Sequence, residues 1–176
     1  AARAVIFYGS CLREAALDGL MLDFYLIVSD YEAAYGKGWL ARANRRLPPN
    51  VFPARHDELV AKVAVLSEAD LARLCSPAAG DVSVWARFAQ PVRLVWAADD
   101  AARASVADAL AGAVRTLFHY ARPLVADADR DDPLSIYREG FARTYASELR
   151  AERKGRAGSV VDADPARYQA IGNAAL

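Results

Sequence analysis

Val5-Ile6-Phe7-Tyr8-Gly9-Ser10, followed after a short link by Met21-Leu22-Asp23-Phe24-Tyr25-Leu26-Ile27-Val28, is the stretch on which the reading of this chain turns. Both runs are apolar and rich in β-branched and aromatic residues, which suits half-buried strands. The link between them reads as a short helix. The first run ends in Gly9-Ser10. Glycine at a strand end lets backbone N–H groups approach an anionic ligand such as a triphosphate, and serine adds a hydroxyl. The second run carries one carboxylate, Asp23, in an otherwise apolar stretch. Such a group is costly unless a metal or a polar partner satisfies it. A hard oxygen ligand suits Mg2+, the ion that accompanies nucleotide phosphates.

Working outward, Asp30 is placed to cap a helix running to about Arg46. Its Tyr31, Tyr35, Trp39, Ala43 and Leu47 recur at helical spacing and are expected to face the core. Pro48-Pro49-Asn50 ends it. Leu59–Leu66 reads as a third strand, and Ser67-Glu68-Ala69-Asp70 as a capping box opening a short helix. Ser76–Gly80 is a loop, Val82–Phe88 suits strand or helix, and Val92–Trp96 is a short strand. Beyond Asp99 the pattern turns helical, with one stripe at Val106, Leu110, Val114, Leu117 and Ala121. A second runs Leu134, Tyr137, Phe141, Tyr145 and Leu149 behind Pro133, and a short terminal helix follows Pro165. The expectation is an α+β fold: a mixed sheet with helices over residues 1–98, then a helical region over 99–176.

Bulk properties narrow the function classes. The chain has 176 residues, enough for one packed domain with a helical appendage. Its 22 basic residues balance 22 acidic ones, so no global field calls for a nucleic-acid partner. Cys11 and Cys75 have no metal or redox spacing and read as reduced, small apolar residues. No apolar run reaches the roughly 18 residues of a membrane span, and no signal-peptide pattern opens the chain, so a cytoplasmic location is the default. Abundant Ala and Arg with scarce Lys suit a high-GC bacterial source. Ala1-Ala2-Arg3-Ala4 enters a strand abruptly, which implies that further residues precede it.

With these residues in hand, the chain resembles the Tam41-type phosphatidate cytidylyltransferases. Three blocks carry the likeness over roughly residues 5 to 96. Tyr8-Gly9-Ser10 with Asp23 on the next strand matches that family's Tyr-Gly-Ser and later Asp-bearing strand. Lys62-Val63-Ala64-Val65-Leu66-Ser67 is similar to its Lys-Tyr-Gly-Val-Val-Ser strand. Ala86-Arg87-Phe88-Ala89-Gln90-Pro91-Val92 is similar to its Gly-Arg-Leu-x-Lys-Pro-Val segment. The resemblance implies a polymerase β-like nucleotidyltransferase fold followed by a helical domain. It also implies an Mg2+-dependent enzyme that makes CDP-diacylglycerol and pyrophosphate from CTP and phosphatidic acid. A lipid substrate further implies transient contact with a membrane surface, peripheral on its inner face.

Carried onto this sequence, the resemblance places Gly9, Ser10 and Arg13 at the nucleotide and Asp23 at the metal, with Lys62 and Arg87 neutralising phosphate charge. Glu58 is the nearest candidate for a further metal ligand, sharing a face with Val60 and Lys62 if that strand begins early. The chain also departs from the family pattern. Tyr25 holds the position where many such enzymes have a second carboxylate, Asp18 sits in the link, and Gln90 and Ala86 replace a lysine and a glycine. Each candidate has a plainer role as well. Gly9-Ser10 can simply end a strand, Lys62 can snorkel from an edge, Arg87 can stack on Trp85, and Arg13 can sit on an exposed helix. His56 and His119 are isolated and read as structural, and Tyr8 and Tyr25 as packing groups. The charged run Arg150–Arg156 is a solvated helix end or a contact for anionic headgroups. Another nucleotidyltransferase of the same fold, or a non-catalytic protein that kept it, are the alternative functions.

Overall fold

The two opening runs pair with each other, and a five-stranded mixed sheet grows from them. Its strands are β1 (Ala2–Tyr8), β2 (Met21–Val28), β3 (Asn50–His56), β4 (Leu59–Ser67) and β5 (Arg93–Ala97), in the spatial order β3-β4-β2-β1-β5. The computed structural model describes residues 1–13, 19–147 and 160–176. Asp18, Leu149 and the Arg150–Arg156 run lie outside the described residues, as does the side chain of Arg13. The helices are α1 (Tyr31–Tyr35), α2 (Trp39–Arg46), α3 (Glu68–Leu74), α4 (Trp85–Phe88), α5 (Asp100–Ala121), α6 (Pro133–Ser147) and α7 (Pro165–Asn173). The fold is α+β. Among the described residues no helix is long and apolar enough to cross a membrane.

The chain forms two compact units, each drawn from two segments of the sequence. A sheet unit comprises Ala1–Arg73 and Pro91–Ala109, and a helical unit comprises Leu74–Gln90 and Leu110–Leu176. Residues 74–90 join the helical unit because specific bonds hold them there. Thr116 Oγ1 donates to the Cys75 carbonyl at 3.0 Å, and the Tyr120 hydroxyl donates to the Pro77 carbonyl at 2.9 Å. The rings of Trp85 and Tyr120 stack with centroids 6.0 Å apart. At Gly112 an added Cβ would lie 3.0 Å from the Cys75 carbonyl oxygen, so the absence of a side chain permits the close approach.

In the sheet unit β2 runs antiparallel to β1 and parallel to β4. One face, with Leu26, Val28, Val63, Val65 and Phe52, packs against Tyr31, Ala34, Tyr35 and Ala41 of α1 and α2. The other buries Ala4, Ile6, Tyr25, Ile27, Ala64 and Leu66. Arg3 ties three elements together. Its guanidinium meets both Asp99 carboxylate oxygens, at 2.7 and 3.2 Å, and its Nε donates to Glu68 at 3.2 Å.

Both expected caps form. Asp30 accepts from the Ala33 N–H at 2.7 Å, and Ser67 Oγ accepts from the Asp70 N–H at 3.1 Å. The helix from Asp30 is not continuous to Arg46, however. Gly36 takes the left-handed value φ +74° and the chain restarts at Trp39, so the stripe loses its phase. Trp39 is 72% and Leu47 77% exposed, whereas Ala41 and Asn44 are buried. Asn44 bridges α2 to the sheet: its Nδ2 donates to the Val65 carbonyl at 3.1 Å, and its Oδ1 accepts from the Asn50 N–H at 2.7 Å. The segment after Pro49, to which the sequence assigned no element, is the edge strand β3. It tolerates Pro53 because an edge strand has one side without ladder bonds.

The helical unit buries Tyr137, Phe141 and Tyr168 together, with Tyr137 and Tyr168 edge-to-face at 4.7 Å. Gly140 lets α6 close on α5, since a Cβ there would sit 2.7 Å from Leu117 Cδ2. Burial pushes the Cys75 thiol up to about 12, and burial likewise pushes the Tyr31 phenol in the sheet unit up to about 12.

Three outcomes follow for stability. Replacing Asn44 by Ala strands a carbonyl and an N–H inside the sheet unit, and should cost about 2–3 kcal/mol in urea unfolding. Trp39→Ser should move stability by no more than about 0.5 kcal/mol in the same measurement. A folded-state pKa above the unfolded one stabilises below the unfolded value and is lost as pH rises through the folded value. Stability should therefore fall from about pH 9 towards 12, and Cys75 should resist iodoacetamide at pH 8 in folded protein but react in urea.

Candidate functional site

Strand register assembles the candidate site. Tyr8 pairs with Asp23 across the antiparallel β1–β2 ladder, and Lys62 pairs with Asp23 across the parallel β2–β4 ladder. Register partners share a face on strands about 4.8 Å apart, so Tyr8, Asp23 and Lys62 form one row. That row lies where the buried face of Ile6, Tyr25 and Ala64 ends: Tyr8 and Asp23 are half-buried and Lys62 is exposed. A carboxylate can be tolerated in β2 because it sits at the rim of the apolar face rather than within it.

Gly9 closes the row. Its φ of +92° lies in the left-handed region, and a Cβ built there would fall 3.0 Å from Asp23 Oδ2. The turn therefore favours glycine twice, for its backbone conformation and because a Cβ would press on the Asp23 carboxylate. Ser10 follows, exposed, as the first residue of a tight 3-10 turn to Arg13, in which the Leu12 N–H donates to the Gly9 carbonyl at 3.3 Å. Cys11 is buried beneath this turn, its Sγ 3.4 Å from the Met21 carbonyl oxygen.

The remaining candidates are not part of this row. Glu58 is not on a strand: with Asp57, whose φ is +50°, it forms the exposed two-residue turn between His56 and Leu59. It is four residues from Lys62, roughly 13 Å along the strand direction at about 3.3 Å per residue, too far to share a metal with Asp23. Arg87 belongs to α4 in the helical unit, half-buried, with Nη1 donating to the Ser83 carbonyl. Tyr25 is 2% exposed with its ring 4.9 Å from that of Tyr8, so the position two residues beyond Asp23 is a packing position. His56 is exposed beside Asp57, and His119 lies edge-on to Tyr120. Among the described residues no group of three or more His, Cys, Asp and Glu side chains is arranged to hold a metal.

The row thus presents a carboxylate, an ammonium, a phenol and a glycine turn at one sheet end. This set can bind a polyanion by Lys62 and the turn, and can offer Asp23 to a cation that travels with it. Sequence reading identified Gly9, Asp23 and Lys62 as residue types but not their adjacency, which depends on a parallel pairing between segments some forty residues apart. No protein-family model matches the sequence, and no curated protein matches it.

Gly9→Ala combines a disfavoured φ with crowding of Asp23. It should lower stability by about 1–3 kcal/mol in urea unfolding, whereas Ser10→Ala at the exposed next position should change it by less than about 0.5 kcal/mol.

Proposed function

We propose that this chain is a nucleotidyltransferase that transfers a cytidylyl group from CTP to phosphatidic acid, yielding CDP-diacylglycerol and pyrophosphate. The observation that carries the reading is the fit of Gly9 against Asp23 beside Lys62. The three blocks of resemblance supply the polymerase β-like fold assignment, the nucleotide and the lipid acceptor, and a lipid acceptor requires transient contact with a membrane surface. In this reading the N–H groups of the Gly9-Ser10 turn hold the β- and γ-phosphates, with Arg13 one turn further on. Lys62 sits beside Asp23 and neutralises charge on the departing pyrophosphate or the acceptor phosphate. Arg87, to which the resemblance gives the same task, belongs to the helical unit and takes no part in this reading.

Asp23 fits an Mg2+ site, because that ion commonly keeps several waters and takes only one or two carboxylates alongside substrate phosphates. Glu58 does not fit, for the reason of distance given above. When bound, Mg2+ would offset negative charge on the triphosphate. The acceptor phosphate is already ionised near neutral pH, so no strong general base is required, in keeping with a row that contains no histidine. Rate enhancement would come from positioning and electrostatic stabilisation.

One observation favours a second reading. The buried Tyr25 leaves Asp23 without a second carboxylate on its own strand face, as expected for a non-catalytic relative that retained the fold and nucleotide binding. The deciding experiment incubates labelled CTP, Mg2+ and phosphatidic acid vesicles with the protein and with Asp23→Asn. Lipid-dependent CDP-diacylglycerol and pyrophosphate that fall at least a hundredfold in Asp23→Asn, with folding unchanged by circular dichroism, support the transferase. CTP binding without product on this lipid points to another acceptor. Absence of both binding and product selects the non-catalytic reading, and full turnover by Asp23→Asn overturns the site.

A further inference from the structure

A concavity lies wholly within the helical unit. It has a volume of about 310 Å3 and is bounded by the 79–85 segment, the C-terminal half of α5 with Leu124, and one side of α6. Its walls are apolar: Trp85, Leu117, Tyr120 and Leu124, with Gly140 contributing bare backbone. The volume lies at the lower end of small-molecule pockets and corresponds to roughly ten water-sized groups. Trp85 and Tyr120 are held against one another, and the Tyr120 hydroxyl is committed to the Pro77 carbonyl, so this wall is built before any ligand arrives.

Two charged side chains stand among the lining residues, and they are differently engaged. Asp81 folds back on its own turn, its Oδ1 accepting from both the N–H and the hydroxyl of Ser83. Arg143 is largely exposed and, among the described residues, meets one carboxylate, Glu139, through Nε at 2.7 Å. A guanidinium has five N–H donors and pairs with oxyanions in a planar fork. The pocket therefore joins an apolar interior to a cationic donor at its edge.

We propose that this pocket binds a small amphiphile, an apolar chain of about ten carbons ending in a carboxylate or similar oxyanion, with the chain against Trp85 and Leu117 and the oxyanion at Arg143. This assignment is independent of the nucleotide site in the sheet unit.

Trp85 makes the pocket observable, because it is buried whereas Trp39 and Trp96 are exposed. The full chain is titrated with decanoate, and separately with decanol, below their micellar or solubility limits, following the short-wavelength tryptophan emission. A saturable one-to-one response to decanoate is expected. Ala79→Phe and, as a second filling variant, Val82→Phe should raise the dissociation constant at least tenfold, with folding checked by circular dichroism. Arg143→Gln should raise it about fivefold for decanoate and leave decanol unchanged. No saturable response in the unaltered protein, or equal affinity in a folded filling variant, would overturn the pocket. A filling-sensitive affinity indifferent to Arg143→Gln would overturn the oxyanion assignment.

Discussion

The parallel ladder between β2 and β4 is the constraint on which the sheet unit depends. Antiparallel strands can be joined by two residues, but parallel ones require a crossover, and here Ser29–Glu58 supplies it through α1, α2 and β3. That crossover must cover one face of the sheet on its way, which is why Tyr31 and Ala41 pack over Val28 and Val65. Here it also ends in a hairpin, so the turn at Asp57-Glu58 is spent on reversing the chain rather than on chemistry. With β4 paired to β2 in this register, Lys62 stands next to Asp23.

The same ladder explains how one sheet face serves packing and polar chemistry. From Ala4 and Ile27 through Ile6 and Tyr25 the face is dry, and it meets solvent at Tyr8, Asp23 and Lys62. A polar row at the margin of an apolar layer is held by rigid strands yet remains reachable by a ligand. Gly9 sets the limit of this arrangement, since a Cβ on its turn would press against the Asp23 carboxylate. The helical unit is organised differently. Buried polar contacts, with Thr116 donating to the Cys75 carbonyl, tie the 74–90 segment to α5 and leave a cavity beside Trp85.

Much of the local structure was legible. Alternation and β-branching marked β1, β2, β4 and β5, while Asp30 and Ser67 announced helix starts through capping chemistry that acts within four residues. The failures share a cause. Tyr31 to Leu47 keeps helical spacing on paper, but Gly36 and Gly38 re-phase it, and burial passes from Trp39 to Asn44. Strand β3 was hidden because Pro53, Arg55 and His56 give no alternating apolar pattern, and only pairing with β4 makes an edge strand of them. For the candidate site, Gly9, Asp23 and Lys62 were legible as residue types out of place in apolar runs. Glu58 was misplaced because a two-residue hairpin turn and a strand start differ by a single register step.

The sequence by itself determined the types of β1, β2, β4 and β5, the caps, the balanced charge and the presence of an acid and a base inside strand-forming runs. These are local properties, written in side-chain shape and in spacing over a few residues. Tertiary structure alone decided which residues became neighbours. Residues 74–90 went to the helical unit, Glu58 went to a turn, and Asp23, Lys62 and Tyr8 came into one row beside Gly9. Register and close approach are set by burying whole faces at once, and no window of sequence contains both partners of such a contact.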